Sequence, residues 1–273
     1  MSAYGISMNY KDKVAVVVFN RPERRNAFDE TMWRDLEHVT AELAHNLPRA
    51  VVVSGAGKAF CAGFDVNPDN PQVSSLIGAV ERKERAPVEA LISRLQTAVD
   101  GLVSLPVPVI AALNGDAFGG GAELASRCDL RIMDPGARIC FSEARLGLMP
   151  DWGGGPGLAK LIGASAAADL ILTGRRIGAE EALRLGLINR VSGSGQALEE
   201  AIDLAGTIAK NGPRAVRHAL AVIRRVRELP MRQALDLERG EAVELIVSGE
   251  CMLGITAFLS KQEAVFPDIH PGE

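Results

Sequence analysis

Three consecutive glycines, Gly119, Gly120 and Gly121, follow an apolar run and precede a segment that reads as a helix, with Glu123 in its first turn. Main-chain N–H groups at a helix start lack intrahelical acceptors and carry the positive end of the dipole. With no side chain in the way, an oxygen gaining negative charge can come within hydrogen-bonding distance. That is the physics of an oxyanion hole, where one donor is typically worth about 3–4 kcal/mol of barrier. Tight strand–helix packing explains the same glycines equally well on local grounds. A second carboxylate, Glu143, stands 20 positions after Glu123, at the start of another short segment that follows a strand. Two such groups can do general acid–base work. Each is also a residue that a helix dipole favours at its start.

Other glycine-rich stretches fail their tests. Gly55 and Gly57 precede Lys58, but Val52 stands where a phosphate loop needs its first glycine, and Ala59 follows the lysine. The dinucleotide fingerprint fails there at Phe60, and again after Gly153 at Leu158. No serine occupies a G-x-S-x-G elbow. The cysteines at 61, 128, 140 and 251 form no CxxC pair and read as reduced thiols of a cytosolic protein. Histidines are scattered, so no metal site is expected.

Positioning these groups requires alternating strands and helices. Apolar runs at 14–19, 50–53 and 107–113 read as buried strands, with further strands at 130–133, 138–141 and 187–191. Asp29 is a plausible N-cap for a helix to about His45, with Met32, Leu36, Val39 and Leu43 on one face. Another helix spans 87–105, with Leu91, Leu95, Ala98 and Leu102 facing inward. Between 64 and 87, Pro68, Asp69, Asn70 and Pro71 break the pattern, so a mobile loop with at most a short helix is expected. From 196 to 261 the chain reads as helical, broken near 211–213 and 229–230. This is an α/β body, 1–195, followed by a helical part, 196–273.

The 273 residues carry a net charge of −4, which gives no general attraction to nucleic acid or an anionic membrane. The start of the chain lacks a basic stretch leading into an apolar one, and no apolar run is long enough to span a bilayer. A cytoplasmic location is the expectation.

Several segments together resemble the enoyl-CoA hydratase/isomerase (crotonase) superfamily across nearly the whole chain. They are NRPERRNA at 20–27, KAFCAGFD at 58–65, PVIAALNG at 108–115 running into GGGAE at 119–123, and FSEARLGLMP at 141–150. LTG at 172–174, EEA at 180–182 and GL at 186–187 follow in order. The resemblance implies a crotonase-like spiral of ββα units with C-terminal helices that mediate a homo-trimer or hexamer. It implies an acyl-CoA thioester substrate, with CoA part of that substrate and no separate cofactor. The oxyanion donors would be the N–H groups of Phe64 and Gly120, and Glu123 and Glu143 the acid/base pair of a 2-enoyl-CoA hydratase. Ala62, Asp65 and Val66 would line the adenine and pantetheine path, beside Gly119. Lys261, in AFLSK at 257–261, and Arg24 are candidates for CoA phosphate, with Arg25 and Lys58. Glu263 stands where a second lysine would help. Asp151 replaces the glycine of typical hydratases. It would either cap the following helix, the preferred reading, or serve as a third acid in an enoyl- or dienoyl-CoA isomerase. A crotonase-fold protein without catalysis is the remaining alternative. Trp152 and Phe258 could border the acyl pocket or serve packing, and Cys61 and Cys140 read as small core residues.

Overall fold

A computed structural model describes residues 5–269. β1 (Ile6–Lys11) pairs antiparallel with β2 (Val14–Phe19), placing Ile6 opposite Phe19. The sequence reading omits β1, an edge strand in which only Ile6 is buried. Asp29 accepts from Met32 N at 3.0 Å and caps α1 (Glu30–His45), whose Met32, Leu36, Val39 and Leu43 are buried as their spacing predicts.

The chain then repeats one unit. β3 (Ala50–Gly55) leads to the short β4 (Ala59–Cys61), followed by α2 (Pro71–Arg82) and α3 (Arg85–Val103). β5 (Val109–Leu113) leads to β6 (Asp116–Phe118) and α4 (Gly120–Arg127). β7 (Leu130–Met133) leads to β8 (Arg138–Cys140), a 3-10 turn at Glu143–Leu146, α5 (Gly154–Ile162) and α6 (Ala164–Thr173). β9 (Ile177–Gly178), α7 (Ala179–Arg184) and β10 (Arg190–Val191) complete the spiral. The first strand of each unit enters a six-stranded sheet of order β1-β2-β3-β5-β7-β10, and the second a four-stranded sheet of order β4-β6-β8-β9.

Strands β2, β3, β5 and β7 run parallel and are covered on both faces, which explains their near-continuous apolar sequence. Period-two alternation sorts their side chains. Val17, Val51, Val53 and Leu113 join the core that α1 and α3 cover. Val16, Ala50, Val52 and Ile110 face α8 (Ala197–Ala209), where Ala201 and Ala205 let helix and sheet approach closely. The sequence division at 195 therefore cuts within the packed body, because α8 covers one face of the first sheet.

The stretch expected to be a loop holds a full helix, α2. Asn70 and Pro71, which break the preceding pattern, are its start signals: the Asn70 side chain accepts from Gln72 N at 3.2 Å, and Pro71 takes the first turn.

After α8 come α9 (Pro213–Arg225), α10 (Met231–Val247) and α11 (Glu250–Leu259). The break at Gly249, φ 78°, went unread in the sequence. α10 and α11 leave Val243, Ile246, Val247, Ile255, Phe258 and Leu259 exposed. No single helix among the described residues is long and apolar enough to cross a membrane. The buried Arg49 guanidinium binds Ala209 O at 2.9 Å, Phe266 O at 2.6 Å and Asp268 at 2.8 Å, fastening the segment after α11 to the body.

One buried side chain organises the turn after β2. Asn26, with φ 57°, donates from Nδ2 to the carbonyls of Ala56, Ala59 and Phe60, at 3.0, 2.8 and 3.3 Å. Its Oδ1 accepts from Arg21 N at 2.9 Å. Asn26→Ala leaves these groups unsatisfied, so a loss of about 2–4 kcal/mol in urea denaturation is expected. A loss below about 1 kcal/mol would show that water replaces the amide there.

Candidate active site

β4, β6 and β8 lie side by side and parallel, so their carboxyl ends open at one end of the small sheet. From those ends run Ala62–Gly63–Phe64, Gly119–Gly120 and Ser142–Glu143, and crevices at the carboxyl ends of parallel strands suit ligands.

The first two loops touch. A Cβ on Gly63, whose φ is +87°, would lie 2.7 Å from Gly120 N. Phe28 N donates to Gly63 O at 2.7 Å and Asp65 N donates to Phe28 O at 2.9 Å, a parallel bridge. In that geometry the N–H of Phe64 points away from Phe28. Gly119, at φ 54° and ψ −130°, takes a conformation open to glycine, and its carbonyl accepts from Ala122 N at 2.8 Å and Glu123 N at 3.0 Å. Gly120 N, first in α4, has no acceptor among the described residues, and neither has Phe64 N. Each free N–H belongs to a peptide whose carbonyl already accepts a hydrogen bond, which strengthens the donor. The Trp152 indole covers Gly120, where a Cβ would fall 2.5 Å from the ring. Trp152 is buried against Trp33 and Phe28, ring centroids 4.6 and 5.6 Å away. It serves packing, the second of the two roles open to it from sequence. Phe258, by contrast, is 79% exposed on α11.

Three acids converge beside these amides. Glu123 is 1% exposed, and its Oε2 accepts from Trp152 N and Gly154 N, both at 2.8 Å, while Oε1 accepts from Asp151 N at 3.3 Å. Glu143 is 8% exposed, and neither of its oxygens accepts from an N–H group among the described residues. Its Oε1 sits 3.5 Å from where a Gly119 Cβ would stand, so the glycine run admits the acid as well as the amides. Burial pushes the Glu123 carboxyl up to about 8; the Gly154 amide opposes that shift, and Glu143 and Asp151 add to it. Burial raises Glu143 and Asp151 as well. Two like charges this close do not both ionise at neutral pH. At neutral pH the two carboxyls therefore share one proton, with three amides converging on the Glu123 side of the pair.

Capping, preferred for Asp151 from sequence, is overturned. The N-cap of α5 is Gly153, with no side-chain bond, and the amide of Gly154 goes to Glu123. The charge of Asp151 instead bears on both glutamates and raises each. Gln96 on α3 donates to its carbonyl at 2.9 Å, and Arg127 donates to the carbonyl of Trp152 at 3.3 Å. These amide and carbonyl contacts went unread in the sequence, because main-chain groups carry no residue signature.

The residues expected along the CoA path divide. Ala62 is half-buried on the Phe64 loop, and Val66 is 62% exposed just beyond it. Asp65 is buried with its carboxylate 2.6 Å from Arg21, which makes it a brace of that loop. Arg24 is exposed and 3.7 Å from Asp69, on the rim of a depression of about 220 Å³ shared with Asp65 and Asn70. Lys58 and Lys261 are exposed, Lys261 following α11 without an ion pair to any described residue. The acids, Phe64, Gly119 and Gly120 thus come together, while Lys261 lies in the helical part, just after α11.

Known proteins share this arrangement of sequence and fold. A profile of the enoyl-CoA hydratase/isomerase family matches residues 9–269. A short-chain-enoyl-CoA hydratase of Clostridium acetobutylicum is 33% identical over 265 residues, covering 96% of this chain and 97% of that protein. A crotonyl-CoA hydratase of Syntrophomonas wolfei is 32% identical over 268 residues, covering 97% and 99%. The crystal structure of an enoyl-CoA hydratase from Bacillus anthracis superposes with a TM-score of 0.86 at 33% identity, covering 96% of this chain and 98% of that one. With two strand-end loops offering free amides beside buried carboxyls, and with matches along nearly its full length, the chain belongs to the enoyl-CoA hydratase/isomerase family of the crotonase superfamily.

Proposed function

We propose that the protein is a 2-enoyl-CoA hydratase, adding water across the Cα=Cβ bond to give a 3-hydroxyacyl-CoA. Membership of the family makes it a hydratase or isomerase. The observation that carries the finer reading is the asymmetry of the two glutamates, one accepting from three amides and the other from no N–H group among the described residues. Phe64 N–H and Gly120 N–H receive the thioester oxygen. Glu123 takes a proton from water as the oxygen of that water attacks Cβ. The electron pair moves through Cα to the thioester oxygen, and the resulting enolate collects at Cα the proton of Glu143. The acids suffice only with the thioester oxygen held, because an enolate without its two donors would be too basic to form. Water and these groups complete the reaction, so no separate cofactor is invoked.

A second reading rests on Asp151, whose raised carboxyl does not cap α5 and whose charge raises both glutamates. A third acid at this place can carry a proton along an acyl chain, as an enoyl- or dienoyl-CoA isomerase requires. The apolar side chains left open on α10 and α11 favour association of copies of the chain as a trimer or hexamer.

Crotonyl-CoA hydration, followed by loss of conjugated absorbance, tests the first reading. Glu123→Gln and Glu143→Gln are each expected to lower kcat by about 10²–10⁴-fold with KM little changed. In the wild type kcat falls as pH rises through about 8, because the glutamate pair, with Glu123 pushed up to about 8, keeps its shared proton below that value and loses it above. The alkaline fall should vanish from the residual activity of Glu143→Gln. Wild-type turnover in either variant would refute the mechanism. For the second reading, Asp151→Asn should abolish double-bond migration in a dienoyl-CoA while sparing hydration; equal losses of both would assign Asp151 to the fold. Sedimentation equilibrium should give a multiple of three chains, and a monomer at micromolar concentration would refute the proposed association.

A further inference from the structure

The mechanism leaves one buried group unused at the edge of the site. Cys61 ends β4 with no solvent exposure. Its Sγ accepts from Gly63 N at 3.3 Å and donates its hydrogen to Asn26 O at 3.2 Å. Burial pushes the thiol up to about 12, so the S–H donor persists at neutral pH. Asn26 does not yield to this pull, since its own side chain is tied at Arg21, Ala56, Ala59 and Phe60.

Gly63 is where a fixed partner matters. At φ +87° and without a Cβ, it is free to rotate about both main-chain bonds. The bond from its N–H to Cys61 holds one side of its Cα, and the bond from Phe28 N to its carbonyl holds the other. That carbonyl shares a peptide plane with the N–H of Phe64, so the direction of this donor is set by the two bonds together. Cys61 also bears on the second donor. A Cβ on Gly121 would stand 2.2 Å from Cys61 O and 2.8 Å from Cys61 Cβ, so strand and glycine turn are in direct contact.

We infer that Cys61 is a positioning residue for the oxyanion site, its thiol orienting the Gly63–Phe64 peptide while its backbone fixes the spacing to the Gly120 turn. The inference rests on the acyl-CoA reading above. Serine has nearly the same shape and makes both bonds; alanine keeps the spacing and makes neither.

Acetoacetyl-CoA is the probe, because its enolate absorbs where the keto form does not and reports directly on stabilisation of the thioester oxygen. With Cys61→Ala the enolate band at fixed pH should weaken about tenfold, and kcat for crotonyl-CoA should fall about tenfold with KM unchanged, the scale of a misdirected donor rather than a missing one. Cys61→Ser should recover most of both. Affinity for S-ethyl-CoA, which has no thioester carbonyl, should be the same in all three proteins. An enolate band unmoved by Cys61→Ala overturns the role of Cys61, as does a Cys61→Ser protein as impaired as Cys61→Ala. A parallel loss of S-ethyl-CoA binding overturns it too, since general loosening would then explain the effect. No enolate band in the wild type would instead sink the acyl-CoA reading on which the inference stands.

Discussion

Two backbone N–H groups from different strand ends are kept close together and without acceptors, and much of the molecule serves that constraint. Leaving buried donors open is costly, so a fold retains them only where neighbours over-determine the geometry. Here the neighbours are the Phe28 bridge on one loop, the helix-start bonds of Gly119 on the other, and the Trp152 ring packed over Gly120. The aromatic group of Phe28, Trp33 and Trp152 lies behind both loops, so core packing and donor spacing are one arrangement.

The acids obey a second rule. Glu123 is an anchor as well as an ionisable group, because the amides it accepts belong to the loop that opens α5. A carboxylate in that position substitutes for the missing side-chain cap of Gly153. Glu143 has no such obligations. Identical side chains thereby meet different surroundings, which is the condition for dividing acid from base.

Much of this was legible in residue types. Val14–Phe19 and the cap at Asp29 follow from apolar patterning and cap chemistry, and both appear in the structure. Gly119 to Gly121 offered an anion-accepting helix start or tight packing, but Phe64 was reachable only through the family resemblance, since its proposed part falls to a main-chain atom. The three-residue strands β4 and β6 are too short for period-two patterning to register, yet they bring the loops together. Asn70 and Pro71 were read as breakers because the same residues that stop one element start the next. Asp151 misled for a related reason: an aspartate before a helix usually caps it, and here a glutamate distant in sequence had already taken the amide.

Arg49 carries a mechanical consequence. One guanidinium grips the carbonyl that closes α8 and, across the intervening helices, the backbone of Phe266. The excursion through α9, α10 and α11 is therefore a loop cinched at its neck. A segment tied at both ends has less freedom than one tied at a single end, so the proposed association of copies would remove less entropy.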